Sequence, residues 1–148
     1  MKCVILTNYE TTEEEAFYLT NYTSNCYKIA LNQHAGQYNP DVRICTDYIV
    51  ERLCQNFDEP ILSVRDRFKS QRVKHIDIEF KGATILAAID YAKLKGYDNI
   101  LLVADNTVHS KEFQQLVKDN IVDDGTVYQC SDGNFNLPVK SIKEWILN

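Results

Sequence analysis

The fold is decided by residues 82–106, GATILAAIDYAKLKGYDNILLVADN. Gly82 opens a helical pattern over 83–95, in which Ile85, Ile89 and Ala92 form one stripe and Ala88 widens it. The small residues allow this helix to lie close against a sheet. Gly96 stands where a left-handed residue commonly ends a helix. The short apolar run 99–104 then reads as a strand that ends in Asp105 and Asn106. Helix, glycine stop and strand make one α/β unit. In open α/β sheets, ligands bind beyond the carboxyl ends of the strands. A site is therefore expected where Asp105 and Asn106 emerge.

The same logic extends in both directions. Residues 2–8 are rich in Val, Ile and Leu and read as a buried first strand. Thr12-x-x-Glu15 is a capping box, so a helix begins near Thr12, with Ala16, Phe17 and Leu19 as its inward face. Strands are expected over 26–31, ending in Asn32-Gln33-His34, and over 42–45, ending in Thr46-Asp47. A helix capped by Thr46 or Asp47 follows, with Ile49, Leu53 and Phe57 at i, i+4 and i+8 on one face. Pro60 ends it, and 61–64 forms a short strand. Ile76, Ile78 and Phe80 alternate with Asp77 and Glu79, which predicts a strand with one wet face. Beyond residue 104, Ser110 caps a helix carrying Phe113, Leu116 and Val117, 126–130 is a last strand, and Ser141 caps a terminal helix with Ile142, Trp145 and Ile146 inward. The order β-α-β-β-α-β-β-α-β-α-β-α predicts a single Rossmann-like α/β domain over 1–148, with a mainly parallel sheet and helices on both faces.

Composition narrows the function classes. The chain has 148 residues, enough for one domain with a substantial core. Its formal net charge of −5 argues against nucleic acid as the main partner. The apolar runs are far shorter than the roughly 20 residues that span a bilayer, so the chain is not expected to cross a membrane. The amino terminus is expected to be a first strand and not an export signal. Cys3, Cys26, Cys45, Cys54 and Cys130 are odd in number and contain no C-x-x-C pair. They read as reduced, buried thiols of a cytoplasmic protein. Neither cysteines nor histidines are spaced as metal ligands, and no metal or cofactor is expected. One segment breaks the acidic balance: Arg65, Arg67, Lys69, Arg72 and Lys74, offset only by Asp66, could form an anion-contacting loop.

The residues able to carry chemistry cluster at strand ends. Asn8, Asn32, Asp47, Asp105 and Asn106 each follow a strand run, and Asn offers a donor and an acceptor together, which suits a base or a ribose. Turn formation accounts equally well for any one of them alone. Gly82, Ala83 and Thr84 begin the long helix, whose free N–H groups and positive dipole end favour a phosphate. They match neither G-x-x-x-x-G-K-[ST] nor G-x-G-x-x-G. His34 and His109 follow strand ends and are candidate acid–base groups.

The stretches 29–33 (IALNQ), 40–47 (PDVRICTD), 82–96 and 100–105 together resemble the Rossmann-like core of bacterial lipooligosaccharide sialyltransferases. They are also similar to the motility-accessory-factor and 6-hydroxymethylpterin diphosphokinase-like domains. The resemblance implies that Asn32 and Asp105 contact a nucleoside, and that Gly82, Ala83 and Thr84 approach its phosphates. Those families open with a Gly-x-Gly-Pro-Ser-like turn after the first strand; here the position reads Thr7-Asn8-Tyr9-Glu10-Thr11, without glycine. The chain is also too short for the lid that carries acceptor binding in the sialyltransferases. Two functions follow as expectations. One is a small glycosyltransferase-like domain that binds a nucleotide or nucleotide-sugar in surface-glycan assembly. The other is a non-catalytic nucleotide- or phosphate-binding or partner subunit of the same fold.

Overall fold

The computed structural model describes residues 1–7, 11–103, 110–121, 124–130 and 135–148. Among the described residues there are seven strands: β1 (Lys2–Leu6), β2 (Tyr27–Leu31), β3 (Val42–Cys45), β4 (Ile61–Ser63), β5 (Val73–His75), β6 (Asn99–Val103) and β7 (Val127–Gln129). They form one sheet in the order β5-β4-β3-β2-β1-β6-β7, and every pair is parallel. The helices are α1 (Glu13–Asn21), α2 (Val50–Leu53), α3 (Thr84–Leu94), α4 (Lys111–Asn120) and α5 (Ile142–Leu147).

The chain builds outward from β1 to β5, then returns along α3 to lay β6 on the other side of β1. That reversal puts a topological switch point between β1 and β6. It also explains why α3 is the helix that lies across β1, β2 and β3. Ile85, Ala88, Ile89 and Ala92 of α3 are buried against Cys3, Ile5, Ile29, Leu31, Val42, Ile44, Ile100 and Leu102, which share one face of the sheet. Val117 of α4 completes that layer. The alternate residues Val4, Leu6, Leu101 and Val103 point to the opposite face and meet Leu19 of α1 and Ile142 and Trp145 of α5. Central strands covered on both faces must be apolar at nearly every position, which is why β1 and β6 read as continuous hydrophobic runs. The fold is thus α/β, with an all-parallel sheet and helices on both faces.

The element order agrees with expectation, and the capping box of α1 has both halves: Glu15 N–H donates to Thr12 Oγ1 at 3.1 Å and Thr12 N–H to Glu15 Oε1 at 2.9 Å. Three local expectations are corrected. The strand predicted at 76–80 lies at Val73–His75 instead. Ile76 N–H still donates to Ser63 O, but Ile78 N–H turns back to Ile76 O at 3.0 Å, and this tight turn takes the chain off the sheet edge. Ile76 and Ile78 pack beside the α3 layer, so their alternation reflects packing without strand pairing. In α2 the buried positions are Val50 and Cys54, while Ile49 is 42 % exposed. The helix is a single turn continued by a 3₁₀ turn over Cys54–Asn56, too short for an i, i+4, i+8 stripe. Phe17 is exposed, and among the described residues its ring meets those of Tyr18 and Tyr22.

All five cysteines are free and buried. Burial pushes the thiols of Cys3 and Cys45 up to about 12. No helix among the described residues is long and apolar enough to cross a membrane.

Candidate functional site along the carboxyl edge

Because all strands run parallel, their carboxyl ends form one edge, and a polar seam follows it from β2 to β4. Asn32 ends β2 in the left-handed region at φ 50°. Its Oδ1 accepts the backbone N–H of Thr46 at 2.9 Å and of Asp47 at 3.1 Å. Its Nδ2 donates to Thr84 Oγ1 at 3.3 Å. Thr84 in turn shares a 2.6 Å hydrogen bond with Thr46 Oγ1. Asn32 therefore brackets the end of β3 to the start of α3. Most of its amide capacity is spent on the protein, with one N–H left over. Asp47 uses Oδ1 to accept Ile49 N–H, an Asx turn that starts α2. At the switch point, Thr7 ties β1 to β6 by donating both its backbone N–H and its hydroxyl to Val103 O.

The start of α3 faces this seam. Ala83 is its N-cap and supplies no side-chain cap. Gly82 has φ 98°, and a Cβ there would come within 3.1 Å of Leu116 of α4. Backbone conformation and helix packing thus already require glycine at 82.

Arg65 continues the seam. It follows β4, and Nη1 donates to Thr46 O at 3.2 Å. Its guanidinium carbon lies 4.8 Å from the Tyr48 ring centre and 5.5 Å from that of Phe80. The loop carrying it is anchored at both ends. Glu51 of α2 accepts the backbone N–H groups of Lys69 and Ser70, the latter at 3.2 Å. Arg72 donates to the carbonyls of Cys54, Phe57 and Glu59, on the connection into β4. The basic stretch is thereby divided: Arg65 and Arg67 line the carboxyl edge, while Arg72 has a structural task.

His34 is half-buried, and burial together with the nearby Arg43 guanidinium holds its imidazole below the ordinary value, only partly opposed by Asp47. Arg43 itself is fully buried. It donates to the carbonyls of Asn32 at 2.8 Å and His34 at 2.5 Å, pairs with Glu59 at 2.8 Å, and stacks 3.9 Å over Phe57. It shapes the turn after β2 from beneath.

Of the candidate residues, Asn32, Asp47 and Thr84 meet in one network, and Gly82 and Ala83 form the helix entrance beside it. Asn8, Asp105, Asn106 and His109 lie outside the described residues. Sequence reasoning passed over Tyr48, Phe80 and Arg43. Arg43 carried a signal, since a charged residue in a doubly covered strand must be paired. No protein-family model matches the chain, and no curated protein or solved structure matches it.

Proposed function

We propose that the protein binds a nucleotide or nucleotide-sugar across the carboxyl edge of its sheet and acts as a small glycosyltransferase-like domain in surface-glycan assembly. The observation that supports the binding reading is the topology: the strand order reverses between β1 and β6, and open α/β sheets bind ligands at such reversals. In this reading Asn8, Asp105 and Asn106 hold the nucleoside, the start of α3 at Ala83 and Thr84 meets its phosphates, and Asn32 orders that helix entrance. His34, whose imidazole is held below its ordinary value, or His109 serves as the acid–base group. The transfer reaction itself comes from the sequence resemblance.

A non-catalytic nucleotide- or phosphate-binding or partner subunit of the same fold is the second reading. It is favoured by the absence of glycine at 7–11, where a backbone must approach a phosphate closely. A thermal-shift screen with CMP, UDP, GDP, ADP and their sugar conjugates tests both. A ligand at 100 times its Kd adds about 2.7 kcal/mol, which moves the Tm of a domain this size by roughly 5–11 °C. If no nucleotide shifts the Tm, the transferase reading fails and the non-catalytic reading, as a partner subunit, gains. If one does, release of free nucleotide from its sugar conjugate supports the transferase, and binding without release supports the subunit.

A further inference from the structure

Beyond the β4 end of the seam lies a cleft of about 350 Å³, lined by Tyr48, Val64, Arg65, Asp66, Arg67, His75 and Phe80. Its lining comes from the carboxyl ends of β4 and β5, the turn after β3 and the segment that leads to α3. None of it belongs to the β1–β6 switch point.

Three observations converge there. Arg65 is half-buried and clamped against two aromatic rings, yet neither it nor Arg67 has an ion-pair partner among the described residues. Asp66 lies between them in the chain, but its carboxylate pairs with neither. A partly desolvated guanidinium without a counter-charge is costly, and an anion relieves that cost. Next, the Tyr48 ring closes one side of the cleft against the Arg65 guanidinium, while its hydroxyl is buried away from solvent without a hydrogen-bond partner among the described residues. Finally, the site is rigid in advance: Tyr48 packs on Phe68 at 4.6 Å, and Glu51 holds the loop by its backbone. Arg65 spends one N–H on Thr46 O, which leaves most of its fork for a ligand.

We propose that this cleft binds the phosphate monoester group of a small molecule, as a second site at the β4–β5 end of the carboxyl edge, away from the β1–β6 switch point. Arg65 and Arg67 supply the charge, His75 supplies a further polar contact, and the rings of Tyr48 and Phe80 flank the attached organic part. Two arginines and a histidine lining one cleft offer more donors than a planar carboxylate needs, which one guanidinium fork satisfies, and so suit a tetrahedral oxyanion better. The volume exceeds what a bare ion needs and falls in the range of small-molecule sites.

The test is a titration with ribose 5-phosphate, followed by calorimetry and by the Arg65 Nε–H signal in ¹⁵N spectra. Ribose and inorganic phosphate serve as the other two arms. The wild type should bind ribose 5-phosphate in the millimolar range or better, inorganic phosphate more weakly and ribose not at all. Arg65→Gln should weaken binding about 10- to 100-fold, since a charge-assisted hydrogen bond is lost. Arg67→Gln, at an exposed position, keeps the test valid if Arg65→Gln does not fold, and it should weaken binding several-fold. Lys118→Gln on α4 should bind as the wild type does. No binding of ribose 5-phosphate, or binding unchanged in both arginine variants, overturns the proposal. The nucleotide reading is judged separately: ribose 5-phosphate binding that depends on Arg65 stands whether or not any nucleotide shifts the Tm.

Discussion

Replacing Asn32 separates two demands that the fold makes on one residue. The first is its side-chain amide. Without Oδ1, the N–H of Thr46 is left in a residue only 8 % exposed, while that of Asp47, an exposed residue, can turn to water. One orphaned buried donor costs about 1–3 kcal/mol. The second demand is conformational: φ is 50°, and a residue with a Cβ but no local hydrogen bond pays about 1–2 kcal/mol there. Asn32→Gly removes only the amide and should cost about 1–3 kcal/mol, with somewhat more from the freedom glycine adds to the unfolded chain. Asn32→Ala removes the amide and adds the strain, for about 2–5 kcal/mol. At 2–4 °C per kcal/mol, these are Tm losses of roughly 2–12 °C and 4–20 °C.

The assay is urea unfolding followed by circular dichroism, with the midpoint compared at an unchanged slope. If Asn32→Gly unfolds at the wild-type midpoint, the amide does not bracket β3 to α3 and the reasoning fails. If Asn32→Ala equals Asn32→Gly, the left-handed strain is the part that is wrong. The outcome also bears on function, because a loss of nucleotide binding in Asn32→Ala cannot be read as a lost contact until the loss of fold has been measured.

Further outcomes follow from burial and charge. Ala88→Leu should destabilise by about 1–3 kcal/mol through overpacking beneath α3, read as a lower Tm. Arg43→Met should cost about 3–5 kcal/mol, since it strands Glu59 and the carbonyls of Asn32 and His34, and an unchanged urea midpoint would refute the buried network. The native protein should react slowly with a thiol reagent and show five free thiols once denatured without reductant, because burial keeps the thiols of Cys3, Cys26, Cys45 and Cys130 protonated. His34 titrates below its ordinary 6.5 in the folded state, so the unfolded chain takes up the proton first. Its contribution is fully present above pH 6.5 and is lost as pH falls toward the lowered value. His34→Gln should therefore narrow the Tm difference between pH 7.5 and pH 5.5, and an equal difference in both proteins would show that His34 has no part in it.

The fold was legible because its signals are local. The stripe of α3, the glycine that ends it, the capping box at Thr12 and the unbroken apolar runs of β1 and β6 each act within a few residues. Strand pairing at the β5 edge was less so. Ile76 and Ile78 show the period of a strand, but whether a short alternating segment pairs or turns depends on where the neighbouring edge ends, and that is a tertiary fact. The site was legible only as a set of positions. Parallel strands guarantee that Asn32 and Thr46-Asp47 share an edge, yet nothing in their spacing says that Asn32 faces Thr46 and Thr84.

Arg43 and Arg65 show why the step from sequence to site is harder than the step to fold. Both are arginines at or just after short apolar strands, and both sit beside an aromatic ring. Arg43 lies in the middle of β3, on the face opposite Val42 and Ile44, and the interior supplies everything it needs: a carboxylate, two carbonyls and the ring of Phe57. Its charge is cancelled inside the fold and is not available to a ligand. Arg65 lies two residues past the end of β4, where the sheet no longer supplies partners, and the fold gives it one carbonyl and two rings. Position relative to the strand end thus decides whether the same side chain serves stability or waits for an anion. The difference is one of partners, and partners are set by the register of a parallel sheet whose neighbouring strands lie far apart in sequence.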